Sequence, residues 1–314
     1  MLLKRAVLTA GIVMATALPA AGTAMAGPTA TAGHITATDS STGAPALVAL
    51  DPADGTVVAT LARNAEDGVL SPKGSSVAYI QRATTCVPQT EGCVHPRDLI
   101  LAKADGSDRH VLVQGIAPET GEAPYVGHPD WSPDGKRLVY DSPRGLEWIN
   151  TDGTGQEVLT PAAGPGTFSP DGKSIAFVRT TSYETADGGW EQSRDVWTLD
   201  TTTRALRQIT TAHDAVQAPV DWSPDGTRIA YATTNGLSVA DVPSGTATPL
   251  QPTWTTPLTG VRSPVFSPDG TRIAFSATDT FTYTTNTYTT AATGADSPRL
   301  LRSPSATPTD WLNR

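Results

Sequence analysis

The sequence has few cysteines, a deficit of positive charge and none of the common catalytic motifs. Lysine and arginine number 22 against 31 aspartates and glutamates, which gives a formal net charge of −9. Because an acidic surface repels phosphate groups, we expect no nucleic-acid partner. The motifs H-E-x-x-H, G-x-G-x-x-G and G-x-S-x-G do not occur. The sequence therefore offers no recognisable zinc-protease, dinucleotide or serine-hydrolase site.

The two cysteines, Cys86 and Cys93, lie in one polar stretch. Two thiols are too few ligands for a zinc site, and the nearby His95 does not complete a known zinc spacing. In an exported protein, such a pair is typical of a disulfide. The sequence predicts a Cys86–Cys93 bond that pins a surface loop, and no metal site.

The most extended apolar run lies at the N-terminus. Lys4 and Arg5 precede an apolar stretch over residues 6–20, and Ala24-Met25-Ala26 then fits the small-x-small pattern of a cleavage site. We predict a secretory signal peptide at residues 1–26 and a short linker at 27–33; retention as a membrane anchor is the alternative. The apolar run is shorter than the roughly 20 residues that span a bilayer. We therefore expect a secreted chain without a transmembrane segment, with a net charge of −11 once Lys4 and Arg5 are removed.

A repeated segment is the strongest signal in the chain. Each copy has an aromatic residue or Leu, then Ser-Pro-Asp-Gly or a close variant, two polar residues and an alternating apolar run. Proline presets φ in such a turn and glycine supplies the positive φ that follows, so each copy predicts a tight β-hairpin. The copies are LSPKGSSVAY at Leu70, WSPDGKRLVY at Trp131, FSPDGKSIAF at Phe168, WSPDGTRIAY at Trp222 and FSPDGTRIAF at Phe266.

The spacing of these copies predicts a six-bladed β-propeller over residues 34–314. Each hairpin is followed by two further short apolar runs, which makes four strands per unit with almost no helical periodicity. The N-terminal stretch supplies three strands without a leading one, and residues 309–312 supply a leading strand at the C-terminus. One blade is therefore shared between the two ends, which closes the ring and leaves no open edge. The leading residues Leu70, Trp131, Phe168, Trp222, Phe266 and Trp311 are expected between blades.

These residues resemble the TolB-type propeller repeat, which is sometimes described as WD-like. The resemblance extends over nearly all of the chain after residue 34 and implies the propeller fold. TolB itself has an α/β domain before its propeller, and no counterpart is expected here, because a strand follows soon after the signal peptide. The resemblance therefore implies an architecture, and the function of TolB is not transferred with it.

Three carboxylates invite a functional interpretation. Asp130, Asp221 and Asp310 each precede the leading Trp in alternate blades, and His128 lies two residues before Asp130. Leading strands line the central channel, so these groups could converge there to do acid–base chemistry or to hold a cation such as Ca²⁺. The alternative, which we favour, is that the aspartates accept hydrogen bonds from backbone amides of neighbouring blades. We therefore predict no cofactor.

The long connections are predicted to share one face of the ring, which we call the long-loop face. They span residues 81–97, 179–194 and 277–286 in alternate blades, and long insertions on one face of a repeat protein often mark a binding surface. Covering the top of a blade is the alternative for the aromatic residues there. Those aromatic residues are Tyr125, Tyr183, Trp190, Trp254 and Tyr283.

Two functions compete at this point. We favour a monomeric, non-catalytic module that binds an extracytoplasmic protein, peptide or glycan through the long-loop face and the channel mouth. The rival is a carbohydrate-active hydrolase or lyase that uses the channel carboxylates.

Overall fold

The structure, a computed structural model, describes residues 33–84, 86–89, 92–116, 125–185, 187–211, 215–250, 254–255, 257–304 and 306–312. The predicted signal peptide and all but the last residue of the predicted linker lie outside these ranges. Within them the chain is all-β, with six four-stranded antiparallel sheets and one two-stranded hairpin. No helix of this part of the chain is long and apolar enough to cross a membrane.

The sheets are the six blades of a propeller, and five of them are continuous in sequence. The strands of each blade are given from the channel outward. Blade 2 contains β4 (Glu66–Leu70), β5 (Ser76–Arg82), β8 (Arg97–Lys103) and β9 (His110–Val113). Blade 3 contains β10 (Gly127–Trp131), β11 (Arg137–Ser142), β12 (Gly145–Asn150) and β13 (Glu157–Thr160). Blade 4 contains β14 (Ala163–Phe168), β15 (Ser174–Glu184), β16 (Trp190–Asp200) and β17 (Leu206–Gln208). Blade 5 contains β18 (Gln217–Trp222), β19 (Arg228–Thr233), β20 (Gly236–Asp241) and β21 (Ala247–Pro249). Blade 6 contains β22 (Leu258–Phe266), β23 (Arg272–Asp279), β24 (Thr285–Ala291) and β25 (Arg299–Arg302).

Blade 1 joins the two ends of the chain, as predicted. Its inner strand is β26 (Ala306–Leu312), followed outward by β1 (His34–Asp39), β2 (Ala46–Leu50) and β3 (Val57–Arg63). The antiparallel register places Ile35 opposite Trp311 and Asp39 opposite Ala306. The six-bladed ring with a shared closing blade is therefore confirmed.

The Ser-Pro-Asp-Gly segments form the turns between the first and second strands of their blades. In blade 3, Gly135 has φ +70° and its N–H donates to the Ser132 carbonyl at 2.8 Å. The Ser132 hydroxyl donates to Asp134 Oδ1 at 2.7 Å and accepts the Arg137 N–H at 2.9 Å. The same serine bonds recur in the turns that begin at Ser169, Ser223 and Ser267. These turns lie on the face opposite the long loops, which we call the short-turn face.

The hydrophobic core is divided into six clusters, one at each contact between neighbouring blades. Trp131 packs with Ile80 and Leu99 of blade 2, and Phe168 packs with Val139 and Leu146 of blade 3. The leading residue of each described blade therefore packs into the blade before it, as predicted. Because a blade buries one face against each neighbour, its core is complete only when the ring is closed.

The predicted disulfide is present. Cys86 and Cys93 are bonded, with Cα atoms 5.6 Å apart. Cys86 precedes β6 (Val87–Gln89) and Cys93 lies in β7 (Gly92–Val94), and these two strands form a separate hairpin between β5 and β8 of blade 2. The bond therefore clips a surface insertion and not a blade.

Removing β26 should open the ring. In a chain that ends at Pro304, β1 loses its inner partner and the cluster between blades 6 and 1 loses Ala306 and Trp311. We expect the thermal midpoint to fall by more than about 10 °C, or folding to fail, compared with a chain that ends at Leu312. Circular dichroism melting measures this, and an unchanged midpoint would contradict closure by β26.

Replacing both Cys86 and Cys93 by Ser should change global stability little. The bond closes a loop of only seven residues in sequence separation, and the β6–β7 hairpin does not pair with the sheet of blade 2. We expect the midpoint to fall by no more than about 3 °C. A larger fall would show that the hairpin supports the blade. Two reactive thiols in the native protein would refute the bond itself.

Candidate functional site: the central channel and the long-loop face

The first strands of all six blades line a central channel. Their inner edges have no further strand to pair with, and five of the six carry proline, which lacks the N–H that pairing would need. These prolines are Pro129, Pro165, Pro219, Pro264 and Pro308. The channel contains a cavity of about 80 Å³. At roughly 10–15 Å³ per water molecule, this is room for a few waters only, well below the 300–1,000 Å³ of typical ligand pockets.

The predicted channel carboxylates line this cavity, and two of them accept hydrogen bonds from the next blade. Asp130 Oδ2 accepts the Phe168 N–H at 2.7 Å and the Thr167 hydroxyl at 3.1 Å. Asp221 Oδ2 accepts the Phe266 N–H at 2.7 Å. These are the hydrogen bonds from backbone amides of a neighbouring blade that we favoured from the sequence. Each carboxylate holds the start of a neighbouring turn in place.

Burial sets the protonation of these groups. It raises the pKa of Asp130 to about 6, against the opposing effect of the hydrogen bonds from Phe168 and Thr167. Burial also raises the pKa of Asp221 well above its usual value, and the charges of Asp310 and Asp130 raise it further. Asp221 therefore experiences the charges of both other carboxylates across the channel. Asp310 Oδ1 accepts the N–H of Trp311 at 2.7 Å.

His128 lies at the long-loop end of the channel, in a network of charges. Its Nδ1 lies 2.9 Å from Asp141 Oδ1 and its Nε2 lies 3.7 Å from Asp67 Oδ2. Arg97 bonds to Glu66 at 2.7 Å and reaches Asp67 at 3.4 Å. His128 therefore faces carboxylates on both sides, while 38% of its side chain remains exposed to the channel mouth.

Opposing effects determine the charge of His128. Burial disfavours the charged imidazole, but the charge of Asp67 and the hydrogen bond to Asp141 outweigh burial and the repulsion from Arg97. Together they raise the pKa of His128 to about 9. At neutral pH, His128 is therefore mainly in the charged imidazolium form, which these carboxylates stabilise.

Three projections rise on the long-loop face, one from each even-numbered blade. In blade 2 the projection is the disulfide-clipped insertion, and in blade 4 the β15–β16 hairpin extends five pairs beyond the last residue that pairs with β14. In blade 6 it is the turn over residues 280–284. Blades 3 and 5 have two-residue turns, closed by the pairs Ser142–Gly145 and Thr233–Gly236. From blade 2 to blade 6 the rim is therefore high and low at alternate blades, while in blade 1 six residues, 40–45, join β1 to β2.

Two of these projections carry exposed aromatic side chains. Trp190, on the blade 4 hairpin, is 72% exposed. Tyr183, on the same hairpin, donates its hydroxyl to Glu191 at 2.8 Å. In blade 6, Tyr283 is 84% exposed and Phe281 is 79% exposed. The sequence prediction included Tyr283 but missed Phe281, although this residue lies inside the predicted long connection.

Trp254 and Tyr125, also predicted at this face, have other surroundings. Trp254 stacks on Phe275 with ring centroids 5.3 Å apart and packs against the core between blades 5 and 6. Tyr125 exchanges backbone hydrogen bonds with Ile116 at 2.9 and 3.1 Å and is partly buried. Trp254 therefore covers a blade, which is the alternative that the sequence left open.

Comparison with solved structures identifies the architecture. A TolB of Agrobacterium tumefaciens superposes with a TM-score of 0.59 at 16% identity, with 88% of this chain and 91% of that chain covered. The fold is that of a TolB-like propeller. A chain of a nidogen–laminin complex superposes over 90% of this chain and 98% of its own length, with a TM-score of 0.57 and 10% identity.

More distant likenesses add nothing on function. An oligogalacturonate lyase in complex with manganese has a TM-score of 0.47 and 18% identity over 83% of each chain, which is too remote to carry an argument. No protein-family model matches the chain, and the search of curated proteins gives no match. At these identities the TolB-like propeller is a statement about fold alone.

Replacing His128 by Asn should give a pH-dependent loss of stability. Asn tolerates the φ of +44° at this position and can still donate to Asp141, but it cannot be charged. Because the pKa of His128 is raised from 6.5 to about 9 in the fold, its contribution is fully present below pH 6.5 and is lost as the pH rises through 9. Urea unfolding of both proteins at pH 6, 8 and 10 should therefore show a difference that shrinks with pH.

The exposed His110 supplies a control for this experiment. It begins β9, the outermost strand of blade 2, and its Nδ1 lies 3.0 Å from the Asp108 carbonyl. At each pH, the free energy of unfolding of the His110→Asn variant should differ little from that of the unmodified protein. A His128→Asn difference that stays constant from pH 6 to pH 10 would show that the ion pairs with Asp67 and Asp141 do not determine the stabilisation.

Proposed function

We propose that this TolB-like propeller is an extracytoplasmic binding module that engages a protein partner through the long-loop face. The observation that carries the proposal is the exposure of Trp190, Phe281 and Tyr283 on two projections of one face. Large exposed aromatic side chains are costly in water and are enriched at the centres of protein interfaces. The predicted signal peptide and the Cys86–Cys93 bond support an oxidising compartment.

Both projections are held rigid by their own hydrogen bonds. In blade 6, Asp279 Oδ1 accepts the N–H groups of Phe281 and Thr282 at 2.8 and 2.9 Å, and Thr280 donates its hydroxyl to Pro257 at 3.1 Å. In blade 4, the N–H of Thr185 donates to the Gly189 carbonyl at 2.8 Å. A partner therefore meets aromatic groups that are already positioned, which lowers the entropic cost of binding.

The low rim of blade 5 lies between these projections. Its second and third strands are joined by Thr234 and Asn235 alone, while the neighbouring blades 4 and 6 rise on either side. A convex segment of a partner can rest on blade 5 and contact Trp190 on one flank and Phe281 or Tyr283 on the other. A face with aromatic groups on two projections suits a folded protein surface, and the nidogen–laminin complex is an instance of a related fold in a protein assembly.

The rival function, a hydrolase or lyase centred on the channel, has less support. Asp130 and Asp221 each accept a backbone N–H from the next blade, so they are occupied in holding turns. The channel cavity of about 80 Å³ is too small for a polymeric substrate.

The proposal is tested by capture from the native secretome, followed by affinity measurement on each captured protein. The variant Trp190→Ser should weaken binding by about 2 kcal/mol, or roughly 30-fold, because the loss of one aromatic anchor typically costs this much. Combining it with Phe281→Ser and Tyr283→Ser should abolish measurable binding. Biolayer interferometry with the purified partner gives the dissociation constants.

A matched control replaces exposed apolar residues elsewhere. Val57 and Val58 are exposed on the outer strand of blade 1, so Val57→Ser with Val58→Ser removes apolar surface without touching the long-loop face. The control should bind like the unmodified protein. If every captured partner binds the triple variant equally well, while Asp130→Ala abolishes a measured turnover, the binding module is the wrong function.

A further inference from the structure

A second candidate site lies on the short-turn face, opposite the proposed protein-binding surface. A cavity of about 640 Å³ opens between blades 3 and 4. This volume lies within the 300–1,000 Å³ range of small-molecule sites and greatly exceeds that of the channel cavity. Its walls come from the first turns of both blades and from the end of β12. The cavity is therefore large enough for a small ligand.

Trp148 forms the base of this cavity and is fixed by polar contacts. Its Nε1 donates to Glu157 Oε2 at 3.0 Å. Arg204 lies against one face of the ring, with Cζ 4.0 Å from the centroid, and donates to both oxygens of Glu157 at 3.1 and 2.9 Å. Arg204 also donates to the Thr201 carbonyl at 2.7 Å. Both terminal nitrogens of Arg204 therefore donate hydrogen bonds, and its pairing with Glu157 joins blade 4 to blade 3.

Arg137 lies against the Trp148 ring as well, with its Cζ 4.3 Å from the centroid. Among the described residues, none accepts a hydrogen bond from its guanidinium and none forms an ion pair with it. Lys136, on the same wall, forms no ion pair with a described residue, although its charge and that of Arg137 help the turn's own hydrogen bonds to lower the pKa of Asp134. Stacking on an aromatic ring holds the guanidinium plane in one orientation, with its donors available for a planar anion.

The repeat itself shows that these unused donors are unusual. Arg228 and Arg272 occupy the same position after their own turns as Arg137 does. Arg228 donates to the Gly270 carbonyl at 3.1 Å, and Arg272 pairs with Asp296 at 3.1 Å. Gly172, which corresponds to Gly270, already accepts the Thr201 hydroxyl at 3.0 Å. Arg137 therefore differs from its counterparts by its partners and not by its place in the fold.

Trp148 is also particular to this blade. It pairs with Val139, and the corresponding positions in the other continuous blades carry smaller side chains, namely Leu101, Thr198, Val239 and Thr289. The equivalent cavity between blades 4 and 5 measures about 420 Å³ and has Ser174 in place of Arg137. The guanidinium and its aromatic support thus occur together in one of two similar cavities.

The remaining walls present hydrogen-bond acceptors. Asp134 uses Oδ1 for the Ser132 hydroxyl and the Lys136 N–H, and no described residue donates to its Oδ2. Asp171 uses Oδ1 in the same way within its own turn. A ligand that fits this site needs an anionic group for Arg137 and Lys136, and several hydroxyl donors for Asp134 and Asp171.

We propose that this cavity binds a small carboxylate that carries several hydroxyl groups, such as a sugar acid. The carboxylate pairs side-on with the Arg137 guanidinium and lies near the Lys136 ammonium. The hydroxyl groups donate to Asp134 Oδ2 and to Asp171, whose Oδ2 also lies 3.6 Å from the Lys173 ammonium. Because the site lies on the opposite face, it is independent of the proposed protein-binding function.

The test is an NMR titration that follows the indole N–H of Trp148, assigned through Trp148→Phe. Sodium D-glucuronate is the probe, at constant ionic strength, and we expect a dissociation constant of about 1 mM. Glucose lacks the carboxylate, N-acetylglycine lacks the hydroxyls, and inorganic phosphate lacks both the planar carboxylate and the ring. Each should bind at least tenfold more weakly.

Variants assign the contact to Arg137. Arg137→Gln should weaken glucuronate binding at least tenfold, and Arg137→Lys should also weaken it, because an ammonium cannot form the paired hydrogen bonds. The matched control Arg228→Gln, at the same repeat position, should bind glucuronate within twofold of the unmodified protein. Lys136→Gln provides a second variant, and a melting curve for each confirms folding.

Several outcomes would overturn the proposal. The first is that the Trp148 signal does not shift at a glucuronate concentration 20 times the expected dissociation constant. The second is that Arg137→Gln and Arg228→Gln have equal effects. The third is that a comparator binds as tightly as glucuronate. A methyl glucuronide arm distinguishes the source of the ligand. Retained binding supports the end of an acidic glycan, and loss of binding with glucuronate still bound supports a free sugar acid.

Discussion

The Ser-Pro-Asp-Gly turn is the interaction on which the rest of this molecule depends. Its serine hydroxyl accepts one backbone N–H and donates to the aspartate, so the turn keeps one shape in four blades. The shape sends the preceding aromatic residue into the previous blade, as at Trp131 and Phe168. The turns also contact one another around the ring, since the Pro133 side chain lies against Gly172 and Pro170 lies against Gly226. A local turn thereby sets both the packing and the spacing of the blades.

From blade 2 to blade 6, two kinds of blade alternate around the ring. Blades 3 and 5 begin with Asp-Trp, and their indole N–H groups donate backward to Val69 and Thr167 at 3.2 and 3.1 Å. Their aspartates accept N–H groups from the following blades. Even-numbered blades receive these bonds and carry the long connections instead. The long connections of the even-numbered blades take no part in these bonds, and exposed aromatic residues occur on those of blades 4 and 6.

The fold was predictable because its information is local and repeated. Each copy of the turn predicts one hairpin, and the positions of Leu70 and Trp311 indicate where the ring closes. The surroundings of Trp254 and the cavity at Arg137 were not predictable in the same way. Stacking on Phe275 and the contact of Arg204 with Trp148 join residues that are 21 and 56 positions apart, from different turns or blades. The sequence pattern shows which residues lie on each face of a strand, but it does not show which side chain of a neighbouring blade contacts them.

Phe281 was missed for another reason: its exposure follows from the turn that Asp279 caps, and not from any apolar period.

The positions where a repeat departs from its own pattern are the most informative ones. An arginine after the turn is shared by three blades, so its presence alone has a structural explanation in two of them, where it bonds to Gly270 or Asp296. In blade 3 a tryptophan stands beside the arginine where the other continuous blades have a smaller residue, and the Gly172 carbonyl accepts the Thr201 hydroxyl. The tryptophan also serves the ring, because it packs in the core between blades 3 and 4 and donates to Glu157, which Arg204 of blade 4 holds. Neither of these contacts uses the guanidinium of Arg137, so its orientation beside the cavity is explained more simply by a ligand than by stability.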